Sequence, residues 1–157
     1  MSVDADLFRR ALGRFPSGVT VVSIRDADDR DQGMTVSAFS SVSLLPPLVL
    51  ACIGDDATLA SAMAHATAFG VSVLADEQES LSQRFAETAA RRFDEVPHVR
   101  GTTGVALVAG AIAHLECHVV ARHHEGDHTI VVGKVVTATT FPGRPLVHFG
   151  SAYVRLA

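Results

Sequence analysis

Apolar runs rich in β-branched residues follow one another along this chain, and most of them are separated only by short turns. They occupy residues 19–24, 34–39, 48–53, 69–74, 111–122, 128–140, 146–149 and 152–156. Two consecutive strands can pair in parallel only if a crossover of a dozen or more residues, usually a helix, connects them. The sequence therefore predicts a mainly β fold, an antiparallel barrel, instead of a doubly wound parallel sheet.

Three amphipathic segments predict short helices at the rim of this barrel. The first covers residues 4–15, and the second covers residues 56–66, where Asp56 is placed to cap the helix. The third begins at Asp76, in a pattern typical of a capping box, and carries Leu81 and Phe85. Residues 91–104 show no periodicity, and we expect a loop there.

The composition limits both the size of the protein and its classes of partner. The 157 residues fit a single domain, residues 1–157, and 48% of them are hydrophobic. The formal net charge is −4 and the basic residues form no block, which argues against nucleic acid or a membrane surface as a partner. The mean hydropathy of +0.28 favours a subunit interface over a lone monomer.

Three features predict a cytoplasmic protein. No apolar stretch reaches the ~20 residues that a membrane-spanning helix needs. The amino terminus carries Asp4 and Asp6 and lacks the apolar centre of a signal peptide. The two cysteines, Cys52 and Cys117, are too few for a disulfide scaffold.

Hydroxyl side chains recur between Thr35 and Ser43, just after a glycine. A row of short hydroxyls beside free backbone N–H groups can hydrogen-bond a flat heterocycle and then a phosphate. The alternative is an edge strand whose Ser and Thr side chains face solvent. The chain contains neither a GxGxxG fingerprint nor a P-loop, so any nucleotide is bound in another way.

Histidines form a second polar cluster. On a strand, His114, Glu116 and His118 project from one face, as the ligands of a metal could. Alternate residues of a strand form a row of side chains, whereas a metal ion needs ligands that converge on one point. We therefore expect a polar outer face of the strand and no metal. His128 follows Gly126-Asp127 before an apolar run and can hydrogen-bond an amide or a phosphate, or can simply end an exposed hairpin turn.

Five segments in register together resemble the flavin reductase family with the FMN-binding split barrel. They are FRRALGRFPSGVTVVS (residues 8–23), GMTVSAFSSVSLLPPLVLACI (residues 33–53), FGVSVLADEQESLSQRFA (residues 69–86), GDHTIVVGKV (residues 126–135) and PLVHFGSAYVRL (residues 145–156). The resemblance implies an antiparallel split β-barrel with short helices at its rim and a homodimer.

The resemblance also implies an activity. An NAD(P)H:flavin oxidoreductase would reduce FMN or FAD with hydride from NADH or NADPH and supply the reduced flavin to a separate oxygenase component of a two-component monooxygenase. The alternative is a non-enzymatic flavin-binding carrier or sensor on the same barrel.

The resemblance assigns expected roles by position. The flavin ring and ribityl chain would lie beside Thr35, Val36, Ser37 and Ala38. The phosphate would lie near Ser40, Ser41, Ile53, Asp55, Ala57 and Thr58. The pocket would be completed by Ser72, Leu74, Phe85 and Ala86, and the nicotinamide side would be formed by Ser17, Tyr153 and His128.

His128 is the one residue expected at the reacting groups, where it would position the nicotinamide or the flavin without acting as a base. Relatives often carry Lys, Arg or Ser where Asp55 and Asp56 stand. Anion binding here would therefore depend on hydroxyls and on the N-terminus of the following helix, which favours a flavin that exchanges.

Overall fold

Seven strands form one antiparallel sheet in the computed structural model, which describes residues 1–87 and 93–157. In spatial order they are β3 (Asp31–Val36), β2 (Thr20–Arg25), β6 (Ala68–Val73), β9 (Ala113–Glu125), β10 (His128–Thr140), β5 (Leu48–Gly54) and β4 (Phe39–Ser43). All of their pairings are antiparallel. This confirms a mainly β, antiparallel architecture.

The other described elements are short. They are the strands β1 (Ser17–Gly18), β7 (His98–Arg100), β8 (Ala106–Val108), β11 (Val147–Phe149) and β12 (Ala152–Val154), the helices α1 (Ala5–Leu12), α2 (Ala60–Met63) and α3 (Glu79–Ala86), and a 3₁₀ turn at Asp76–Gln78. Strands β1, β11 and β12 form one small sheet, and β7 pairs with β8.

The link between β3 and β4 curls the large sheet. These strands lie at opposite edges of the sheet, yet only residues 37–38 separate them. A link of this length spans at most about 10 Å, so the two edges must approach each other. The carbonyl of Ala38 accepts a hydrogen bond from the Cys52 amide at 2.9 Å. In the described part of the chain β3 and β4 do not pair with each other, so the hydrogen-bond ladder stays open there.

Two apolar clusters bury the sheet on both faces. The first gathers side chains from β2, β3, β5, β6, β9 and β10, including Val22, Phe69 and Val131. The second lies between β2, α3 and β8 and contains Val21 and Phe85. Since Val21 and Val22 are successive and both fully buried, β2 is covered on both sides, as its continuous apolar run requires.

Two sequence predictions are wrong in extent. The helix expected at residues 56–66 is only α2, because residues 54–57 and 57–60 form successive turns and Asp56 caps nothing. Residues 91–104 do not form only a loop, since β7 pairs with β8. The turn between these strands is held by hydrogen bonds to the Glu116 carboxylate. Residues 91 and 92 lie outside the described residues.

Candidate functional site

The serine and threonine residues between Thr35 and Ser43, here called the hydroxyl row, lie at the surface near the end of β5 and the start of β10. Ala38 bonds to Cys52, and His128 pairs across the ladder with Gly54. We call this surface the binding strip, defined by residues 37–41 and 54–58 together with His128. Its exposed members include four of the residues expected to contact flavin: Ser37, Ala38, Ser40 and Ser41.

The hydroxyls of the row differ in what they are free to bind. Thr35 donates to the Ser82 carbonyl at 2.5 Å, and Ser40 donates to the Ser41 carbonyl at 2.9 Å. Within residues 1–87 and 93–157, the hydroxyls of Ser37 and Ser41 have no hydrogen-bond partner. Among residues 37–41, these two hydroxyls are therefore the ones available to a ligand.

Several expected site residues are covered by the protein itself. Their side chains are at most 3% exposed: Val36, Ile53, Ser72, Leu74 and Phe85. The Ser72 hydroxyl accepts the Val108 amide at 2.9 Å. Phe85 lies in the second core cluster, edge-on to Phe93 with ring centroids 4.8 Å apart, and not on the binding strip. Ala86, at the end of α3, is exposed.

Ser17 and Tyr153 come together in the small sheet. Ser17 pairs with His148, which pairs with Tyr153, and the two rings make an edge contact at 5.6 Å. The Tyr153 hydroxyl lies 2.7 Å from the Ser82 hydroxyl, and Thr35 bonds to the backbone of the same serine. Tyr153 is thus connected through α3 to the beginning of the hydroxyl row.

Ser82 and His148 were missed by the sequence reasoning. A signal for Ser82 existed, because it lies three residues before the inward-facing Phe85 and therefore on the same helix face. A signal for His148 existed too, because the hairpin around Gly150 sets it opposite Tyr153.

His128 lies at the other border of the strip. Its Nδ1 is 2.8 Å from a carboxylate oxygen of Asp127, a hydrogen bond that lowers the pKa of Asp127. A Cβ atom placed on Gly54 would lie 3.6 Å from His128 Nε2, so this nitrogen faces the glycine. No hydrogen bond or strand pair in the described residues joins His128 to Ser17 or Tyr153.

The carboxylate of Asp55 has a histidine partner. His124 Nε2 lies 2.9 Å from Asp55 Oδ2, and the Asp55 amide donates to the Asp127 carbonyl at 2.9 Å. Segment 54–58 is thereby fixed to the β9–β10 hairpin. The expected contribution of a helix N-terminus to anion binding is absent, because α2 begins only at Ala60 and has four residues.

The possible metal ligands do not converge. His114 is buried and its Nε2 lies 2.7 Å from the Val108 carbonyl, whereas His118 is exposed. Glu116 accepts hydrogen bonds from threonines instead. The residues that the structure describes contain no group of three or more His, Cys, Asp or Glu side chains able to hold a metal.

Residues 12–157 match the family model described as the flavin reductase like domain. The chain belongs to this flavin reductase family. An NADH-dependent flavin reductase of a Rhodococcus species is 45% identical over 147 residues, covering 92% of this chain and 82% of the relative. The reductase component of 4-hydroxyphenylacetate 3-monooxygenase from Thermus thermophilus is 41% identical and covers 96% of each chain.

A solved flavin reductase structure has the same fold. The NADH:FAD oxidoreductase SgcE6 of Streptomyces globisporus C-1027, in complex with NAD and FAD fragments, superposes with a TM-score of 0.92 at 42% identity, covering 100% of this chain and 97% of that one. The family resemblance stated from the sequence is therefore confirmed. Among the described residues, no helix is both long and apolar enough to cross a membrane.

The binding strip fits a flavin of this family. It offers two free hydroxyls, at Ser37 and Ser41, beside the exposed backbone of Ala38. At Gly54 the side chains of Asp56 and His128 already lie over the backbone, because a Cβ atom there would be 3.1 Å from Asp56 Oδ1 and 3.6 Å from His128 Nε2. Short hydroxyl donors such as Ser37 and Ser41 can hydrogen-bond a polar heterocycle with a phosphate-bearing chain.

Proposed function

We propose that this member of the family is an NADH-dependent flavin reductase that supplies reduced flavin to a separate oxygenase component. The observation that carries the proposal is the exposed strip, where the hydroxyls of Ser37 and Ser41 have no partner among the described residues and Gly54 pairs with His128. The names of the relatives support NADH as the donor and an oxygenase as the receiver. When bound, the nicotinamide and the flavin supply the hydride transfer, and the protein supplies alignment and exclusion of water.

The chain's own residues divide this work along the strip. Ser37 and Ser41 hold the flavin by hydrogen bonds, and segment 54–58, with Thr58, closes over its phosphate. His128 orients the nicotinamide. Ser17 and Tyr153, from the small sheet, also lie on the nicotinamide side. The curled sheet forms a split barrel, which the short link at residues 37–38 supports.

The flavin is an exchanging substrate in this proposal. Asp55 and Asp56 place negative charge beside the phosphate segment, and only Asp55 has a histidine partner at 2.9 Å. Like charges within a few ångströms oppose each other, so the phosphate is held weakly. Weak binding suits a protein that passes reduced flavin to another component.

Single-turnover mixing without oxygen tests the reaction type. NADH carrying deuterium at the transferred position is expected to bleach protein-bound flavin more slowly than unlabelled NADH. Bound flavin that keeps its absorbance in excess NADH would contradict the proposal.

Ser37→Ala and Ser41→Ala are each expected to weaken flavin binding. Loss of one hydrogen bond of about 0.5–1.5 kcal/mol raises the Kd roughly two- to tenfold. Flavin fluorescence titration measures the effect, and Ser80→Ala, an exposed serine on α3, is the matched control. Wild-type affinity in both strip variants would show that the row only faces solvent.

We further propose that the protein is a cytoplasmic homodimer. Large apolar side chains are exposed on α1, on the β4–β5 connection and on the outer parts of β9 and β10, and such surfaces favour association. They are Leu7, Phe8, Leu12, Phe15, Val42, Leu44, Leu45, Val120, Val136 and Phe141. Cys52 and Cys117 are free thiols, which supports a reducing compartment.

Light scattering at micromolar protein tests the dimer. The expected mass is about twice the 16.5 kDa of one chain. A mass near 16.5 kDa would contradict the dimer.

A further inference from the structure

Segment 54–58 carries two carboxylates and no cation. Asp55 and Asp56 are its charged residues, and neither Lys nor Arg occurs in it. The proposed function places the phosphate of the flavin at this segment. A carboxylate that faced the phosphate would repel it. The contacts that the two carboxylates make within the protein therefore determine how well this segment accepts an anion.

The side chain of Asp55 extends away from its own strand. Strand β5 ends at Gly54, which pairs with His128 at the start of β10. Asp55 Oδ2 lies 2.9 Å from Nε2 of His124, which belongs to β9, the next strand beyond β10. The imidazole donates this hydrogen bond, because a carboxylate only accepts. The Asp55 carboxylate is thus held across the end of β10, toward β9.

The backbone on both sides of this hydrogen bond is fixed independently of it. The Asp55 amide donates to the Asp127 carbonyl at 2.9 Å. His124 pairs with Thr129 on β10, and Thr129 pairs with Ile53 on β5. Loss of the imidazole would therefore leave the backbone in place and would release only the Asp55 carboxylate.

The Asp55 carboxylate has no second partner among residues 1–87 and 93–157, where its one side-chain contact is His124. Arg122 lines the same apolar cavity of about 260 Å³ as His124. Its guanidinium donates to the Met63 carbonyl at 3.2 and 3.0 Å and also to the Ala66 carbonyl. These bonds hold the guanidinium at the end of α2, and it makes no ion pair with Asp55.

We propose that His124 is a positioning residue for flavin binding, which holds the Asp55 carboxylate toward β9 and so keeps its negative charge away from the phosphate of the flavin. The inference rests on the proposed function, since that function places the phosphate at segment 54–58. His124 acts through Asp55 and needs no contact with the flavin. Its removal therefore weakens only those flavins that carry a phosphate.

Fluorescence titration with FMN and with riboflavin, which lacks the phosphate, tests this role in His124→Ala. The Kd of FMN is expected to rise about two- to fivefold, and the Kd of riboflavin is expected to stay at the wild-type value. The range is modest because the Asp55 side chain is 45% exposed and solvent screens its charge. A damaged fold would weaken both flavins alike, so the difference between them isolates the charge.

Asp55→Asn tests whether the carboxylate carries the effect. Added to His124→Ala, it is expected to return the Kd of FMN at least to the wild-type value, because a neutral amide does not repel the phosphate. In the wild-type background, where His124 stays in place, Asp55→Asn is expected to bind FMN at least as tightly as the wild type does. Riboflavin binding is expected to be the same in all of these variants.

Salt provides a second measurement that a purely structural role would not change. Raising the salt from about 0.1 M to about 1 M shortens the screening length from about 10 Å to about 3 Å. The loss of FMN affinity in His124→Ala is therefore expected to shrink at high salt. His123→Ala is the matched control, because it removes an exposed imidazole from the opposite face of the same strand. It is expected to keep both dissociation constants.

Three outcomes overturn the inference alone: His124→Ala weakening FMN and riboflavin alike, His124→Ala leaving FMN binding unchanged, or Asp55→Asn failing to restore FMN binding in the double variant. A wild-type protein that binds neither flavin overturns the proposed function and the inference with it. The two failures are therefore distinguishable.

Discussion

Replacing His128 with alanine is expected to lower kcat/KM for NADH about ten- to a hundredfold and to change flavin affinity little. The imidazole is oriented by Asp127 at 2.8 Å, and its Nε2 faces the backbone of Gly54 on the strip. Loss of one hydrogen bond to a ligand group costs about 1–3 kcal/mol, which gives this range of rates. The free hydroxyls of Ser37 and Ser41 remain, so the flavin keeps its contacts.

Steady-state kinetics with NADH varied, together with flavin titration, separates the two effects. His123→Ala is the matched control, because it removes an exposed imidazole from the other strand of the same hairpin. If His128→Ala weakened flavin binding and left the NADH kinetics unchanged, His128 would belong to the flavin-binding part of the strip and the assignment to the nicotinamide would be wrong. If it changed neither, His128 would only end the hairpin turn.

Glu116→Gln is expected to destabilise the protein by about 1–3 kcal/mol at neutral pH. Glu116 is 4% exposed. Burial alone raises the pKa of its carboxyl, but hydrogen bonds from the Thr103 side chain and backbone and from Thr137 outweigh burial and lower the pKa to about 2. All of these partners donate, and the amide of a glutamine cannot accept from each of them.

The pH dependence follows from the direction of this shift. The ordinary pKa of the group is 4.5 and its folded pKa is about 2. A depressed folded pKa gives stabilisation that is complete above the ordinary pKa and is lost as the pH falls toward the folded pKa. The difference in free energy of unfolding between wild type and Glu116→Gln should therefore shrink between about pH 5 and pH 2.

Urea unfolding at a series of pH values measures this difference, and comparing two proteins cancels the titration of every other carboxylate. Thr139→Val, on an exposed position of β10, is the control for substitution in the same strand. A difference that stayed constant from neutral to acid pH would mean that the carboxylate charge contributes nothing to holding the turn between β7 and β8.

The β9–β10 hairpin could be anticipated because local patterns determine it. It follows from two long alternating runs around Gly126, whose φ of +63° suits a tight turn. Strand β9 extends further toward the turn than expected, since the polar residues His123 and His124 continue the ladder, whereas β10 begins at His128 as expected. Polar side chains remove the hydrophobic pattern by which a strand is predicted, but they do not prevent the strand from pairing.

The helix at residues 56–66 and the place of Phe85 could not be derived in this way. The end of α2 is bound from almost sixty residues away, where Arg122 donates to the carbonyls of Met63 and Ala66. Phe85 is buried because Phe93 and strand β3 pack against it. At Gly33, on β3, a residue larger than glycine would contact the Phe85 ring. Both outcomes depend on contacts distant in sequence, which periodicity does not encode.

For the same reason, only some features of the candidate site could be predicted from the sequence. The exposed hydroxyls and His128 are visible in the sequence as a polar row and a turn. The bond from Thr35 to Ser82, the link to Tyr153 and the cavity beside Arg122 require the folded chain.

Anaerobic mixing of a catalytic amount of protein with NADH and a large excess of FMN or FAD tests the central claim most directly. The nicotinamide and flavin absorbance bands are followed together. The account predicts that both fall in equal amounts through many equivalents per protein, at a rate proportional to protein concentration. Consumption of no more than one equivalent of NADH per chain would contradict it and would indicate a flavin-binding module without turnover.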